Sequence, residues 1–127
     1  MYLNSKKQSA KTIGIAGEKK AVDFLTQSGY TVLECNWRNR HGEVDIIAEK
    51  DETLVFAEVK TAPHGTYKTL EYILGNIKQK RIIETAKYFL QDNRQYNKHY
   101  IRFDVLIIDM PGYPTVYHIE NAFSEFA

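Results

Sequence analysis

Three side chains in the first half of the chain have the types and spacing to hold a divalent cation beside a phosphate group: Asp45, Glu58 and Lys60. Glu58 and Lys60 are two positions apart in Thr53–Thr61, a run that predicts a β-strand, so both side chains lie on one face of it. Asp45 belongs to the preceding predicted strand, and a hairpin between the two strands would set it across from Glu58. Two facing carboxylates repel unless a cation or a proton lies between them. The pair therefore predicts a site for Mg²⁺ or Mn²⁺, which favour carboxylate and water oxygens.

Two further side chains could complete this site. Lys60 is positioned to orient an attacking water and to stabilise the negative charge that develops on a phosphate group. Glu18, at the start of an amphipathic helix, is a further candidate ligand, either directly or through a metal-bound water. The ordinary alternative is that acids and lysines at strand ends are solvated and that Glu58 and Lys60 form a surface ion pair. Spacing alone leaves both interpretations open, because the D-x(n)-E-x-K motif is short.

Basic residues flank an acidic segment of the chain. Residues 1–40 carry seven Lys or Arg against three acids, whereas residues 41–60 carry two against six. This distribution suits a cation site under a phosphate-binding surface, although the net charge of +1 by itself indicates no nucleic-acid partner. The candidates for nucleic-acid contact are Arg38, Arg40, Lys78, Lys80 and Arg81. For those on the second helix, a simple solvated face is equally consistent with the sequence.

The periodicity of apolar residues predicts one α/β domain with element order αβββαββ. The predicted elements are a helix at 13–28, strands at 30–37, 43–49 and 53–61, a helix at 76–92 capped by Asn76, and strands at 100–109 and 115–120. Short polar links join the first three strands, which predicts an antiparallel meander, and the strand at 53–61 is apolar on both faces, which is typical of a central strand. Residues 63–75 are compatible with either a loop or a short irregular helix.

The composition fits a single cytoplasmic domain. With 127 residues, 43% of them hydrophobic, the chain predicts one domain at 13–127 after a flexible tail at 1–12. Its apolar runs are far shorter than a membrane span, and the polar N-terminus lacks the apolar stretch of a signal peptide, so we expect no membrane contact. The single Cys35 excludes an intramolecular disulfide and a Cys-based zinc cage; we interpret it, like Trp37 and Tyr88, as a core residue.

An ordered series of short motifs resembles the YraN family. These motifs are Gly17-Glu18, Asn36-x-Arg38, Gly42-Glu43-Val44-Asp45-Ile46-Ile47-Ala48, Leu54-Val55-Phe56-x-Glu58-Val59-Lys60-Thr61, Arg102-Phe103-Asp104-Val105 and Asn121-Ala122-Phe123. The family is a widespread bacterial group of uncharacterised proteins with an endonuclease-like fold, related to archaeal Holliday-junction resolvases. The resemblance covers residues 13–123, and the series is far more specific than any single motif.

The resemblance implies a restriction-endonuclease-like fold, in which helices flank a mixed central sheet. It places Asp45, Glu58 and Lys60 on the PD-(D/E)XK nuclease triad and Glu18 on the helix-one carboxylate of the resolvases. It therefore implies Mg²⁺- or Mn²⁺-dependent hydrolysis of DNA phosphodiester bonds, with branched or structured DNA as the candidate substrate. The chain departs from the family at Ala62, where relatives often have a basic residue, and across residues 63–75.

Two other functions stay compatible with the sequence. One is a non-catalytic nucleic-acid-binding module that keeps the nuclease fold, and the other is an interaction protein that dimerises through a sheet edge. A homodimer is also expected for an enzyme that cuts both strands of a junction, because a two-fold axis would supply two equivalent sites.

Overall fold

The structure, a computed structural model, describes residues 2–64 and 67–125. The helices are α1 (Tyr2–Gln27), α2 (Tyr67–Gly75) and α3 (Gln79–Asp92), with a short 3-10 helix at Arg94–Tyr96. The strands are β1 (Thr31–Asn39), β2 (Gly42–Lys50), β3 (Thr53–Thr61), β4 (Tyr100–Ile108) and β5 (Val116–Phe123). Outside the described residues lie positions 65 and 66 of the stretch that the sequence left undecided, residue 1 of the predicted tail and residues 126–127 of the predicted domain.

The five strands form one mixed sheet in the order β1-β2-β3-β4-β5. The first three strands pair antiparallel, which confirms the predicted meander. Strand β4 then runs parallel to β3, because the chain crosses over through α2 and α3, and β5 pairs antiparallel with β4. A mixed α/β fold with a central mixed sheet and flanking helices, as predicted, is confirmed.

Apolar side chains cover both faces of the sheet. On one face, Phe56 of β3 packs in a cluster with Ile83 and Phe89 of α3. On the other face, Val55 of β3 packs in a separate cluster with Leu25 of α1. Strand β3 contributes to both clusters, so its prediction as a central strand is confirmed. Helices cover both faces of the sheet, and the polar residues Glu58 and Lys60 lie at the carboxyl end of β3.

The helices differ from the sequence prediction in three places. Helix α1 begins at Tyr2 instead of near residue 13, whereas the flexibility expected of residues 1–12 stays a prediction. Within the undecided stretch, α2 is a regular nine-residue helix. The prediction that Asn76 caps the next helix is wrong. Its backbone N–H and side-chain amide both donate hydrogen bonds to the Tyr72 carbonyl at the end of α2. The N-cap residue of α3 is instead Lys78, two residues later.

Two residues that the sequence assigns to the core lie nearer the surface. Cys35 is exposed, because a register shift between Val32 and Glu34 and a positive φ of 53° at Asn36 interrupt the alternation along the edge strand β1. Partial desolvation of the thiol, with added repulsion from Glu18 and Glu34, raises its pKa, which disfavours the reactive thiolate. Tyr88 is only half-buried.

None of the helices described between residues 2 and 64 or between 67 and 125 is both long and apolar enough to cross a membrane. The cytoplasmic location stays a prediction.

Candidate active site

Strands β2 and β3 separate at the position of the predicted carboxylate pair. Their regular pairing ends with Ile46 opposite Ala57, one residue before Asp45 and Glu58. Beyond that point Asp45 Oδ2, rather than a backbone carbonyl, accepts a hydrogen bond of 2.8 Å from the Val59 N–H. The strand ends are thus held apart by a side chain, which leaves an opening between them.

The opening is a cavity of about 310 Å³ that contains the four predicted catalytic residues. Its lining includes Asp45, Glu58 and Lys60 from the two strands and Glu18 from α1. These residues span 43 positions of sequence, from 18 to 60, and three secondary-structure elements. The structure therefore brings the whole predicted set together, and the catalytic role of each stays a prediction.

The Asp45 carboxyl group is in an environment that disfavours its charge. Burial raises its pKa to about 7, with further contributions from the negative charges of Glu58 and Glu18, against the opposing effects of the Val59 amide and Lys60. Three acidic side chains thus act on one another across the cavity. A bound cation would relieve this repulsion and return Asp45 to its ionised form.

Lys60 is paired with Glu58 at the rim of the same cavity. Its Nζ lies 3.1 Å from Glu58 Oε1, and its side chain keeps 46% of its exposure against 18% for Glu58. The ammonium group is therefore accessible to solvent, whereas the carboxylate faces inward. This asymmetry is the geometry needed for a lysine that contacts an incoming phosphate while its neighbour binds a metal ion.

Glu18 reaches the cavity because α1 packs very closely on β3. Gly17, Ala21 and Leu25 are buried at intervals of four residues and form the face of α1 that lies on the sheet. Gly17 is the point of closest approach, since a Cβ atom there would lie 2.0 Å from Thr61 Oγ1. Glu18 follows directly and accepts a hydrogen bond of 3.0 Å from Asn36 Nδ2.

We expect Gly17→Ala to destabilise the protein by about 1–3 kcal/mol, because the added methyl group forces α1 away from Thr61. Gly14→Ala in the same helix is the matched control: a Cβ there meets nothing within 4 Å, and the substitution should stabilise by roughly 0.5–1 kcal/mol through backbone entropy alone. Denaturant unfolding of the two variants measures both effects. Equal stability changes would show that the Gly17 contact is not tight in solution.

The donor set suits a hard divalent cation that keeps part of its water shell. Asp45 and Glu58 offer half-buried carboxylate oxygens, the ligands that Mg²⁺ and Mn²⁺ prefer. In the part of the chain that the structure describes, no group of three or more His, Cys, Asp or Glu side chains is arranged to hold a metal ion. Mg²⁺ commonly binds one or two carboxylates and completes its shell with water and phosphate oxygens, which is the arrangement these two residues allow. Glu18, hydrogen-bonded to Asn36, fits an outer position that acts through a water.

A second cavity, of about 490 Å³, adjoins the first and is lined by cations. It shares Glu58 and Lys60 with the acidic cavity and adds Arg38 from β1, Arg81 from α3 and Lys78, the N-cap residue of α3. Three of the five predicted nucleic-acid contacts therefore lie around one concave surface beside the carboxylates. Two do not line either cavity: Arg40, at the tip of the β1–β2 hairpin, and Lys80, on an exposed part of α3.

Sequence reasoning missed Glu43 as a member of the site. Glu43 lines both cavities, and its Oε2 lies 3.3 Å from Arg38 Nη2. Its position two residues before Asp45 gives it the same face of an ideal strand, which was the available signal. Because both partners of this pair are well exposed, we expect Arg38 to exchange Glu43 for a phosphate group at little cost.

A buried ionic cluster lies elsewhere on the sheet, centred on Asp104 of β4. The fully buried Asp104 accepts two hydrogen bonds of 2.9 Å from Arg102, one of 2.9 Å from the Asn121 N–H, and pairs with His118 at 2.7 Å. Burial acts to raise the pKa of Asp104, but the bonds from His118, Arg102 and Asn121 outweigh it and lower the pKa below its ordinary value. The structure shows the arginine pair, within a network that ties β4 to β5.

Comparison with known proteins shows one family across most of the chain. The profile of the uncharacterised protein family UPF0102 matches residues 17–108. A UPF0102 protein of Treponema pallidum (strain Nichols) is 42% identical over 119 residues, which cover 91% of this chain and 94% of the relative. A UPF0102 protein of Treponema denticola is 42% identical over 90% of this chain and 96% of its own length. One from Clostridium perfringens (strain 13 / Type A) is 40% identical over 91% and 88%.

Proposed function

Because the chain belongs to the uncharacterised protein family UPF0102, the YraN family, and carries an acidic cavity beside a cationic one, we propose that it is a metal-dependent DNA phosphodiesterase. The observation that carries this proposal is the convergence of Asp45, Glu58, Lys60 and Glu18 on one cavity at the separated ends of β2 and β3. Burial and the charges of Glu58 and Glu18 raise the pKa of Asp45 there to about 7. Such strong perturbation of a carboxyl group in a cavity is typical of catalytic and metal sites.

Asp45 and Glu58 are the residues that would hold Mg²⁺ or Mn²⁺ at the separated ends of β2 and β3. When bound, such a cation supplies Lewis-acid stabilisation of the scissile phosphate and favours deprotonation of water. Lys60, with its ammonium group at the exposed rim, donates to the attacking water or to a phosphate oxygen as negative charge develops there. Glu18 orients a water from the α1 side of the cavity.

The cationic cavity provides the binding surface for the rest of the substrate. Arg38, Lys78 and Arg81 surround a concave space that opens onto Glu58 and Lys60. A DNA strand whose scissile phosphate lies at Lys60 would place adjacent phosphates among these cations. Neutralising several phosphates in this way predicts binding that weakens steeply as salt concentration rises.

The experiment that tests the proposal is cleavage of a panel of labelled DNAs: linear duplex, flapped duplex and four-way junction, each with Mg²⁺ and with Mn²⁺. We expect cleavage of at least one structured substrate by the wild-type protein and its loss with Glu58→Gln, because the amide cannot bind the cation as a carboxylate does. Glu125→Gln is the control, since this exposed acid pairs with Lys87 and lines neither cavity of the site.

The other outcomes identify the alternatives. No cleavage of any substrate, or cleavage by Glu58→Gln at the wild-type rate, would contradict the proposal. Salt-dependent binding that needs no divalent metal and survives loss of Asp45, without cleavage, would indicate a non-catalytic nucleic-acid-binding module. An absence of DNA binding at low salt would favour an interaction protein. Strands β1 and β5 are the edges of the sheet as described, and dimer formation through either one stays a prediction.

A further inference from the structure

The β1–β2 hairpin carries an aromatic stack beside the cationic cavity. The rings of His41, at the tip of the hairpin, and Tyr88, on α3, are parallel within 4° with their centroids 4.2 Å apart. His41 is exposed and Tyr88 is half-buried. Tyr88 therefore supports one face of the imidazole without burying the residue, which leaves His41 accessible to a ligand.

The hairpin tip is held firmly on α3. A Cβ atom at Gly42 would lie 2.6 Å from Thr85 Oγ1 and 2.9 Å from Arg81 Cγ, so the backbone there is in close contact with the helix. The His41 N–H also donates a hydrogen bond of 2.8 Å to Asn39 Oδ1, which fixes the turn. The imidazole is thus positioned before any ligand arrives, and little conformational entropy is lost when it binds one.

A cation stands at the edge of the same ring. Arg40 Nε donates to His41 Nε2 at 3.3 Å, which makes that nitrogen the acceptor. Arg40 is a predicted nucleic-acid contact that lines neither cavity. This bond positions its guanidinium group next to the His41 ring. A flat aromatic face with a guanidinium group at its edge matches a nucleotide, whose base stacks while its phosphate pairs with the cation.

The stack lies beside the cationic cavity. Asn39 and Gly42, which flank Arg40 and His41 in the chain, both line that cavity, as do Lys78 and Arg81 at the start of α3. Glu58 and Lys60 line the same cavity, so a strand bound along it reaches both these residues and the hairpin tip.

We propose that His41, supported by Tyr88, is a stacking platform for one unpaired base of a DNA strand whose scissile phosphate lies at Glu58 and Lys60. This inference rests on the proposed function and narrows it to substrates that have a single-stranded segment next to the cut. A base in continuous duplex is stacked on its neighbours and paired, so it cannot also stack on His41. Blunt duplex DNA therefore uses the cationic cavity without the platform.

The test is a binding titration in EDTA, so that the DNA stays intact, with two probes: a blunt duplex and the same duplex with a four-nucleotide single-stranded tail carrying 2-aminopurine. We expect His41→Ala to weaken binding of the tailed probe by about 10-fold or more, as for one stacked base, and to leave blunt-duplex binding unchanged. His41→Trp should restore both affinity and the fluorescence change of 2-aminopurine. Tyr100→Ala is the control, because Tyr100 is 74% exposed and lies at the other end of β3, opposite Thr53.

Four results would contradict the proposed platform. They are equal effects of His41→Ala on both probes, no effect on either probe, an equal loss of binding with Tyr100→Ala, and a complete absence of DNA binding. Cleavage assays are read separately. Binding that depends on His41 only with the tailed probe, in a protein that cuts nothing, would support the platform and contradict the phosphodiesterase. Cleavage that depends neither on His41 nor on the single-stranded tail would support the phosphodiesterase and contradict the platform.

Discussion

Replacing Asp45 by asparagine is expected to make the metal-free protein more stable at pH 8 while lowering metal-dependent DNA cleavage by about 10³-fold or more, beyond the loss typical of one preorganised electrostatic group. The stability effect follows from the pKa of Asp45, which is raised from 3.8 to about 7 in the folded protein, chiefly by burial and by Glu58. The asparagine keeps an oxygen that can accept the Val59 N–H but carries no charge that repels Glu58.

The sign of the pH dependence is fixed by that shift. The folded protein holds the Asp45 proton up to about pH 7, whereas the unfolded chain releases it near pH 4. Between these values the folded state binds more protons than the unfolded state, so rising pH lowers the free energy of unfolding. The loss is on the order of 4 kcal/mol at 1.36 kcal/mol per pH unit, and it is complete above about pH 7.

The loss of stability caused by Asp45 is measured by denaturant unfolding of the wild-type protein and the D45N variant in EDTA, at pH 5 and at pH 8. The stability difference between the two proteins isolates Asp45, because every other titratable group is the same in both. We expect the stability advantage of D45N over wild type to be larger at pH 8 than at pH 5, because most of the wild-type loss falls between pH 5 and pH 7. Addition of Mg²⁺ or Mn²⁺ at pH 8 should stabilise wild type, by about 2.7 kcal/mol at a concentration 100 times Kd, and leave D45N unchanged.

A stability difference that is the same at both pH values would show that Asp45 has an ordinary pKa and that the carboxylates do not repel one another. Equal stabilisation of both proteins by metal would place the cation elsewhere. The unfolding measurements need no DNA, so they test the raised pKa of Asp45 and metal binding even if no substrate is cut.

Asp104→Ala is expected to cost about 3–5 kcal/mol in the free energy of unfolding, because it removes one partner from a buried charge network. Asp104 accepts four hydrogen bonds, from Arg102, His118 and the Asn121 N–H. Without it, the Arg102 guanidinium, with only 22% of its side chain exposed, loses its bidentate partner. Arg102 also lies 3.8 Å from Glu120, a pair too long and too exposed to replace the lost one.

Thermal and denaturant unfolding at pH 7 measure this cost, with Lys20→Met as the control. Lys20 pairs with Asp109 at 2.6 Å, but both side chains are substantially exposed, so its loss should cost less than about 1 kcal/mol. Similar costs for the two variants would mean that the Asp104 network contributes no more than a surface pair. Because the pKa of Asp104 is lowered, its stabilising effect is present above about pH 4 and is lost as the pH falls through the lower, folded value.

The relation between Glu58 and Lys60 was determined by the sequence alone. A strand with apolar residues on both sides has to be central, and two positions of spacing put both side chains on one face. The motif order also identified the family, since six short blocks in a fixed order carry far more information than any one of them. These features are local or depend only on periodicity, so they need no knowledge of how distant segments meet.

Tertiary structure decided the features that depend on packing between elements. The separation of β2 from β3, with Asp45 bonded to the Val59 N–H, arises where the ladder ends, and no periodicity signals it. Glu18 enters the cavity only because Gly17 lets α1 approach Thr61. His41 finds Tyr88 because the hairpin lies on α3, although the sequence had assigned Tyr88 to the core.

Cys35 is a residue for which the sequence predicted burial and the tertiary structure gives exposure. Its apolar neighbours predicted burial, but Cys35 is exposed because it lies on the edge strand β1, where a register shift interrupts the regular pairing. The sequence thus determined which residues can carry the chemistry and how neighbours along one strand are oriented. The three-dimensional contacts decided which of them meet, because burial, side-chain hydrogen bonds and raised pKa values arise from groups that are far apart in the chain.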